Sequence, residues 1–407
     1  MHILVVSQHY YPDRFRINDI CKGLVKRGHS VDVITSLPDY STSHIPSEYK
    51  HGKRRDEIFD GVHVHRVPTL ERGEGAFKRF FNYSSFAFSG WFYATFWQRE
   101  FDVALVYQTS PVTMVIPALE ACKKFCRKMI IYCCDVWPES AKAMDLHKFP
   151  FMYNIVHKIS KEIYNKSDMI AVTSKPFINY LSNVNEVSQE RLTYIPQHGE
   201  DMLKTMSPSS DSDKEYYNFL FAGNIGSVQN VDCIVHAADK MRDVAGVRIH
   251  IVGDGSKFRE IEGLVESLDL GHMVILHGRH SVESMVRFYQ MADCFVLTLT
   301  GDNFIGMTLP AKLQSYMSMG KPVVVSANGA SREIVRDVDC GVCAETGDAE
   351  ELMRAMMEIL ENRELYAKKG RNARKYYEEN FTLKRFLDNL EIELYKLTPK
   401  SPQPERA

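Results

Sequence analysis

The sequence predicts an α/β protein with two doubly wound domains in tandem. Short β-branched runs alternate with amphipathic helical stretches, and this alternation restarts after one polar interval near the middle. A length of 407 residues also exceeds what a single ordinary hydrophobic core requires. Alternating strands and helices favour parallel sheets covered on both faces, with ligands at the carboxyl ends of the strands.

The first half contains seven strand candidates separated by helical patterns. The strands are predicted over 3–7, 30–35, 62–67, 103–107, 129–134, 169–173 and 192–195. Helices are predicted over 18–27 and 151–166, and Gly28 follows the first of them as a terminating glycine. These elements form a predicted amino-terminal domain over residues 1–198.

The interval 199–216 is polar and non-periodic, which predicts a linker. Strand candidates then resume at 219–222, 247–252, 274–277, 294–297, 322–326 and 341–344. We therefore predict a second domain over 217–375. The helical pattern over 376–398 predicts a terminal helix that crosses back onto the first domain, leaving a cleft between the two domains as the expected site.

Composition and charge exclude several classes of function. The formal net charge is −2, which does not indicate nucleic-acid binding. Met1 leads directly into a strand without a signal-peptide pattern, and no apolar run reaches membrane-spanning length. The nine cysteines lack complete zinc-ligand spacing, so we expect reduced structural thiols, no metal cofactor and a cytoplasmic location.

Two glycine turns follow the first two strands of the second domain. One contains Gly223, Asn224 and Gly226, and the other contains Gly253 and Gly255. Glycines at such turns let backbone amides approach an anion, which predicts a phosphate-binding edge. Each turn alone is a weak signal, because glycine is frequent at strand–helix turns for steric reasons.

The segment Leu309-Pro-Ala-Lys-Leu-Gln-Ser-Tyr-Met-Ser-Met-Gly320 is more specific. Pro310 fixes the chain, Lys312 supplies a cation, and a short helix is predicted over 313–319. A lysine beside two glycine turns is suited to a diphosphate leaving group, whose charge develops in the transition state. The alternative is a solvated lysine on a helix face.

On the first domain, Asp135-Val-Trp137-Pro-Glu139 follows the strand over 129–134. Asp135 is a candidate base, or an orienting group, for an attacking hydroxyl. Trp137 and Glu139 are candidate contacts to a sugar. The alternative is that Trp137 packs a turn and that Glu139 caps the following helix.

Further acceptor-binding candidates lie at neighbouring strand ends. The loop after the first strand carries His9, Arg16 and Asn18, and the strand over 103–107 leads to Gln108. Carboxyl ends of parallel strands share one edge of a sheet, so these side chains are expected near Asp135. For any one of them the alternative is a solvated loop residue.

Residues 77–99 are rich in aromatic side chains, with eleven aromatics between 77 and 97 and basic residues at both ends. A second basic cluster lies at 123–128. This composition predicts a helix that contacts a membrane surface carrying anionic headgroups. A buried helix or a protein–protein interface is the competing interpretation.

These motifs, in this order, resemble glycosyltransferases of family 4 that build bacterial surface polysaccharides. The likeness is clearest for Pro-Ala-Lys-Leu-Gln-Ser-Tyr-Met-x-x-Gly-Lys-Pro at 310–322, and the most similar branch contains capsule and O-antigen enzymes named as fucosamine transferases. The resemblance implies the GT-B fold and transfer of a sugar from a nucleotide-sugar donor, with retention at the anomeric carbon. The implied donor is UDP-linked and carries an N-acetylhexosamine. It also implies a metal-free site and a polyprenyl-diphosphate-linked or oligosaccharide acceptor, at the cytoplasmic face of the inner membrane.

Carried over by position, the resemblance implies individual roles in donor binding. Gly223 and Gly226 would face the diphosphate beside Lys312, while Gly253 and Arg279 would lie near the nucleoside. Two family glutamates are replaced, by Met307 and Ser315, and two family cations by Ile225 and Gln229. Gln314 or Ser315 is then the expected neutral partner of a ribose hydroxyl.

Two other functions remain open from the sequence. A nucleotide-sugar 2-epimerase shares the architecture but needs carboxylates around the donor that the sequence does not display. A non-catalytic nucleotide-sugar-binding subunit of an assembly complex is suggested by the missing glutamates.

Overall fold

The structure, a computed structural model, describes residues 1–73, 75–144, 148–200, 215–301 and 306–398. It divides into two compact units. The first comprises Met1–Pro196 together with the chain from Phe386 onward, and the second comprises Gln197–Arg385. Most of the predicted linker, residues 201–214, lies outside the described residues.

The first unit is built on an eight-stranded sheet of order β3-β4-β2-β1-β5-β6-β7-β8. The strands are β1 His2–Val6, β2 Ser30–Thr35, β3 Asp56–Phe59, β4 Val62–Arg66, β5 Val103–Gln108, β6 Lys128–Cys133, β7 Met169–Val172 and β8 Leu192–Tyr194. All neighbours pair in parallel except β3 and β4. The seven strands predicted in this half are all present, and the loops after β1, β2, β5 and β6 leave the same edge of the sheet.

The sequence interpretation missed strand β3, which forms an antiparallel hairpin with β4 at the sheet edge. The hairpin turn is Asp60-Gly61, with φ angles of +51° and +79°. An Asp-Gly pair between two short apolar runs is a strong hairpin signal, because both residues tolerate positive φ. The signal was therefore available in the sequence.

Helices cover the sheet of the first unit. They are α1 Arg16–Lys26, α2 Ala76–Thr95, α3 Ile116–Phe125, α4 Pro150–Lys166 and α5 Pro176–Val184. The predicted helices over 18–27 and 151–166 correspond to α1 and α4, and the aromatic segment forms α2.

The second unit contains a six-stranded, wholly parallel sheet of order β11-β10-β9-β12-β13-β14. The strands are β9 Tyr217–Ala222, β10 Val247–Val252, β11 Val274–Gly278, β12 Cys294–Thr298, β13 Val323–Ser326 and β14 Gly341–Ala344. The strand order reverses between β9 and β12. Ligands of open parallel sheets bind at such a reversal point, because the loops on either side turn away from each other.

Buried apolar side chains cover both faces of this sheet. Along β9, Phe219 and Phe221 belong to the core on one face, while Leu220 and Ala222 belong to the core on the other. The covering helices are α6 Val231–Asp239, α7 Phe258–Ser267, α8 Val282–Met291, α9 Ala311–Ser318, α10 Ala330–Val338, α11 Ala349–Glu361 and α12 Arg363–Asn380. Burial on both faces explains why these strands are continuous apolar runs.

The carboxyl-terminal tail forms two helices, where the sequence indicated one continuous helical pattern. Helix α12 ends at Asn380, and α13 Leu383–Leu397 follows. Phe381 is fully buried in the core of the second unit. The hydroxyl of Thr382 accepts a hydrogen bond from the backbone N–H of Arg385 at 3.2 Å, which caps the new helix and marks the break.

From Phe386 onward, α13 packs within the first unit. The Phe386 ring meets that of Tyr132 edge-on at 5.2 Å between centroids. Leu387 packs directly against Gly23 of α1. A Cβ atom added to Gly23 would lie 2.5 Å from Leu387 Cδ1. Arg27 pairs with Asp388 at 2.8 Å. The last helix is thus part of the first unit's core and covers α1.

Candidate functional site

A pocket of about 490 Å³ lies in the second unit at the carboxyl ends of β9, β10 and β11. Its lining consists of Glu200, Ala222, Gly223, Asn224, Val252, Gly253, Asp254, Gly255, Arg279, His280, Met285 and Tyr289. Five of the predicted donor-binding residues are among them. The structure therefore gathers both glycine turns and the exposed Arg279 around one cavity.

The two glycine turns touch each other backbone to backbone. Gly223 and Gly253 have φ angles of +145° and +146°, a region that favours glycine. A Cβ on Gly253 would lie 1.8 Å from the carbonyl oxygen of Gly223, and one on Gly255 would lie 2.3 Å from that of Ile225. No larger residue fits at Gly253 or Gly255 without moving the opposite turn.

The backbone amides of these glycines bond within the protein. The N–H of Gly223 donates to Val252 and that of Gly253 to Gly278, both at 2.9 Å. The N–H of Gly226 donates to Gln229 Oε1 at 3.1 Å, and that of Gly255 to Asp254 Oδ1 at 2.7 Å. The sequence interpretation assigned these amides to an anion, and that role stays a prediction. In the structure, the lack of side chains at Gly253 and Gly255 lets the two turns pack directly against each other.

The first glycine turn also does not open a helix directly. A short 3₁₀ turn, Ser227–Gln229, follows Gly226, and α6 begins only at Val231 after Asn230 in the left-handed conformation. The Gln229 side chain closes this turn, because its Oε1 accepts hydrogen bonds from the Gly226 N–H and from Asn224 Nδ2, the latter at 3.2 Å. The positive end of α6 is consequently displaced from the glycines.

Lys312 lies on the first turn of α9, and its ammonium is buried. Within the part of the chain that the structure describes, Nζ has no hydrogen-bond partner, and it lies 4.1 Å from the centroid of the Phe221 ring. A Cβ on Gly223 would be 3.1 Å from Nζ. The ammonium thus lies against Gly223, a residue of the pocket lining, rather than in solvent.

Burial lowers the pKa of Lys312 to about 7. The cause is desolvation, since an apolar environment disfavours the charged form of an amine. An anion bound beside it would favour the ammonium and raise the pKa again. The burial of the ammonium excludes the interpretation of Lys312 as a solvated lysine on a helix face.

Pro310, Gln314 and Ser315 lie at the start of the same helix. The Gln314 side chain folds back onto the start of its own helix. With the amide oriented to donate, its nitrogen forms hydrogen bonds to the carbonyl oxygens of Ala311, at 2.9 Å, and Pro310, at 3.0 Å. The Ser315 hydroxyl donates to the Ala311 carbonyl at 3.4 Å. Both buried side chains are engaged with their own helix, and a role at a ribose stays a prediction.

Asp135 follows β6 in the first unit and is held by one hydroxyl. The Ser110 Oγ donates to Asp135 Oδ2 at 2.9 Å, and the Trp137 indole N–H donates to the same Oγ at 3.3 Å. Burial raises the pKa of the Asp135 carboxyl, and the hydrogen bonds from Ser110 oppose this rise. The carboxylate is therefore oriented and poised to accept a proton or a hydrogen bond.

Gln108 and Trp137 are brought to Asp135, but both are buried. Gln108 Nε2 donates to the backbone carbonyl of Asp135 at 2.8 Å, and its Oε1 accepts from Tyr164 at 3.3 Å. The Tyr164 hydroxyl also accepts from the Trp137 backbone N–H at 3.2 Å. In this arrangement Gln108 and Trp137 support the Asp135 loop, and neither presents an open face.

Glu139 is likewise engaged. Its carboxylate pairs with Lys142 and accepts from Tyr180 at 3.2 Å and from Tyr153 at 3.5 Å. These side-chain contacts are not the helix cap that the sequence offered as the alternative, and a contact between Glu139 and an acceptor stays a prediction.

The loop after β1 places His9 at the same sheet edge, and Asn18 lies in the first turn of α1, which begins at the half-buried Arg16. The His9 ring stacks on Phe15 at 5.2 Å, and burial lowers its pKa to about 3, so it is neutral. Asn18 Nδ2 donates to the Asp13 carbonyl at 2.9 Å. His9 Nδ1 and Asn18 Oδ1 are buried without a partner among the described residues, which leaves both able to meet a hydroxyl.

The sequence interpretation overlooked Asp39 at this edge. Asp39 Oδ2 accepts from Asn82 Nδ2 and from the backbone N–H of Arg72, both at 2.8 Å, and burial raises its pKa to about 6. Its position just after β2, in Leu37-Pro38-Asp39, was the available signal. It also overlooked Glu200, His280, Met285 and Tyr289 of the pocket, whose neighbours become evident only in three dimensions.

Comparison with known proteins matches both halves of the chain to glycosyltransferases. Residues 16–197 match the family model described as Glycosyltransferase Family 4, and residues 204–376 match the model described as Glycosyl transferases group 1. A relative in Escherichia coli (strain K12), named "Putative colanic acid biosynthesis glycosyl transferase WcaI", is 23% identical and covers 96% of this chain and 100% of its own length.

Solved structures give the same fold at low identity. A sucrose-phosphate synthase from Thermosynechococcus elongatus has a TM-score of 0.76 at 18% identity, over 97% of this chain and 98% of that one. Anabaena HepE, solved in complex with UDP and glucose, has a TM-score of 0.70 at 14% identity, over 97% and 99%. The two units thus have the GT-B fold, and each half of the chain matches a glycosyltransferase family model.

Proposed function

We propose that this protein transfers a sugar from a nucleotide-sugar donor to an acceptor hydroxyl, with retention at the anomeric carbon. This proposal rests chiefly on the ammonium of Lys312, which is buried behind Gly223 without a hydrogen-bond partner among the described residues. An unpaired buried cation is costly unless a bound anion satisfies it. A nucleoside diphosphate supplies that anion, as substrate and then as leaving group.

The donor is proposed to be UDP-linked and to carry an N-acetylated hexosamine. Support for UDP comes from HepE, whose solved complexes contain UDP and UDP-glucose. Support for an acetylated amino sugar comes from the likeness of residues 310–322 to fucosamine transferases, and from a Bacillus anthracis relative named N-acetyl-alpha-D-glucosaminyl L-malate synthase, 24% identical over 56% of this chain and 60% of its own length. The name of the Escherichia coli relative supports surface polysaccharide synthesis as the context.

Within this proposal each unit has a separate task. The pocket of the second unit holds the nucleotide, with Lys312 at the diphosphate and Arg279 and His280 at the nucleoside end. In the first unit Asp135 accepts a hydrogen bond from the acceptor hydroxyl. In a front-face retaining reaction the departing phosphate takes the hydroxyl proton, so Asp135 orients the hydroxyl rather than deprotonating it.

A panel of nucleotide sugars tests the proposed function. We expect one UDP-sugar to raise the melting temperature through mass action, and to be consumed only when an acceptor is present. Release of nucleotide from the donor alone would indicate an epimerase instead. Stabilisation by the donor without turnover, across lipid-linked and oligosaccharide acceptors, would favour a non-catalytic subunit.

We further propose that the first unit contacts an anionic membrane, where it meets a lipid-linked acceptor on the cytoplasmic face. Helix α2 exposes Phe77, Phe80, Phe81, Phe88, Trp91, Phe92 and Phe96, and the neighbourhood of α4 exposes Phe149, Phe151, Met152, Ile155 and Ile159. A groove lined by Trp91, Ile159, Lys123 and Arg127 joins the two helices through α3. Among the described helices none has both the length and the apolarity to cross a bilayer.

One basic residue of the predicted cluster has a structural role. Lys124 Nζ donates to the carbonyls of Thr95, at 3.0 Å, and Trp97, and so caps the end of α2. Lys123 and Arg127 remain beside the groove as the cations that face headgroups.

Phe88→Ser together with Phe92→Ser tests the membrane contact. These rings lie one turn apart on α2 and are 69% and 55% exposed, so removing them costs the folded protein little. Each ring buried in a bilayer contributes about 1.5–3 kcal/mol, so we expect vesicle binding to fall at least about tenfold. Co-sedimentation with phosphatidylglycerol-containing vesicles measures the change. Ile392→Ser, at an exposed apolar residue of α13, is the control, and equal binding by all three proteins would contradict the proposal.

A further inference from the structure

The two central strands of the second unit separate just before the glycine turn. Strand β12 pairs with β9 only through Cys294 with Phe219 and Phe295 with Leu220. On its other side, β9 stays paired with β10 as far as Ala222 and Val252. The N–H and carbonyl of Ala222 therefore face a side on which no strand is paired with them.

A tyrosine hydroxyl takes the place of the missing strand. Tyr316 Oη accepts a hydrogen bond from the Ala222 N–H at 2.9 Å and donates one to the Ala222 carbonyl at 3.0 Å. The ring is fully buried and stacks on Phe295, with centroids 4.5 Å apart and an interplanar angle of 11°. The side chain thus fills the space opened by the divergence of β9 and β12.

Tyr316 lies on α9 four residues after Lys312, so both side chains leave the same face of the helix. Ala222, which the hydroxyl holds, is joined by one peptide bond to Gly223, against which Lys312 Nζ lies. The tyrosine therefore connects the helix that carries the cation to the strand that carries the turn.

We propose that Tyr316 is a positioning residue, whose hydroxyl replaces a β12 partner for Ala222 and thereby holds Lys312 against Gly223. The proposal rests on the proposed function, because it assigns Tyr316 to the donor site through Lys312. It predicts that loss of the hydroxyl alone lets α9 shift relative to β9. Lys312 would then be more hydrated and less well placed for a diphosphate.

Tyr316→Phe isolates the hydroxyl, because the ring stack on Phe295 and the buried volume remain. This variant also leaves the Ala222 main chain without its partner, so we expect it to be less stable. Tyr366→Phe is the matched control. Tyr366 is a buried tyrosine of the same unit, its hydroxyl bonds Glu358, and it lies outside the pocket lining.

Two measurements on the full-length variants separate positioning from mere stability. The first is UDP affinity by calorimetry at a temperature where circular dichroism finds all variants folded. The second is the pKa of Lys312 without nucleotide, from the ¹³Cε resonance that disappears in Lys312→Met. For Tyr316→Phe we expect affinity to fall about tenfold, and the Lys312 pKa to rise toward its ordinary value as the amine is hydrated.

Tyr366→Phe is expected to lose stability and to change neither measurement. A Tyr316→Phe protein that only melts earlier, with Lys312 pKa and UDP affinity unchanged, overturns the proposal. Either change without the other also overturns it, because the hydroxyl would then not act on the donor through Lys312. If the unaltered protein binds no nucleotide, the proposed function fails, and the Lys312 resonance alone decides whether Tyr316 positions the lysine.

Discussion

Lys312→Met is expected to weaken UDP binding at least about 100-fold, because it removes the cation that the diphosphate requires. The same substitution is expected to raise the melting temperature without ligand. Methionine keeps much of the side-chain volume against Phe221, and it removes an ammonium that burial disfavours. Binding and stability therefore move in opposite directions.

The gain in stability has a predicted pH dependence. The pKa of Lys312 is about 7 in the folded protein, below its value of about 10.5 in the unfolded chain. The cost of burying the charge is complete below pH 7 and fades as pH rises toward the unfolded value. The stabilisation by methionine should accordingly be largest below pH 7, decrease from pH 7 to pH 9, and vanish only above about pH 10.5.

Calorimetry with UDP and thermal melts from pH 6 to pH 9 measure both effects. Lys369→Met is a suitable control, since Lys369 is a partly buried lysine of the same unit that pairs with Asp339 at 2.8 Å. We expect it to lower stability slightly and to leave UDP affinity unchanged. Unaltered UDP affinity in Lys312→Met would remove Lys312 from the donor site.

Asp135→Asn is expected to lower the transfer rate about 10- to 100-fold, because it removes the charge-assisted hydrogen bond that orients the acceptor hydroxyl, worth about 1.5–3 kcal/mol. Asparagine can still accept from Ser110, so the loop is preserved while the carboxylate charge is lost. UDP affinity should not change, because the pocket proposed to bind the nucleotide lies in the other unit.

Initial rates with donor and acceptor measure this effect, and their pH profile provides a second test. Burial raises the Asp135 pKa. As the pH is lowered, Asp135 should therefore become protonated, and activity should fall, at a higher pH than for an aspartate with the ordinary pKa. Asp168→Asn is the control, a carboxylate that accepts from the Met129 N–H at 2.9 Å at the opposite end of β6. Equal rates for Asp135→Asn and the unaltered protein would show that Asp135 does not meet the acceptor.

The sequence predicted what depends on local chemistry. Apolar runs identified the strands from β9 to β14, and glycines marked the turns that line the pocket. Lys312 was recognised as a cation next to those turns. Its burial over Phe221 was not foreseeable, because the packing that surrounds it comes from elements far away in the chain.

Roles that depend on tertiary packing were predicted less well. Gln108 and Trp137 have the side chains of sugar-binding residues, yet both are buried beneath the Asp135 loop. The sequence interpretation assigned Tyr316 no role beyond its place in the predicted helix over 313–319. Its role depends on where β9 and β12 separate and on a contact with Ala222, 94 positions away, which no local pattern encodes.

The placement of helix α13 has a consequence for biosynthesis. The ribosome makes Phe386, Leu387 and Leu390 only after the whole second unit has been synthesised. Until then the nascent first unit lacks the apolar cover that these residues give to Gly23 and Tyr132. The first unit therefore completes its core after translation of the second, although it is synthesised first, and a fragment ending at Pro196 would keep that surface open to chaperones and to aggregation.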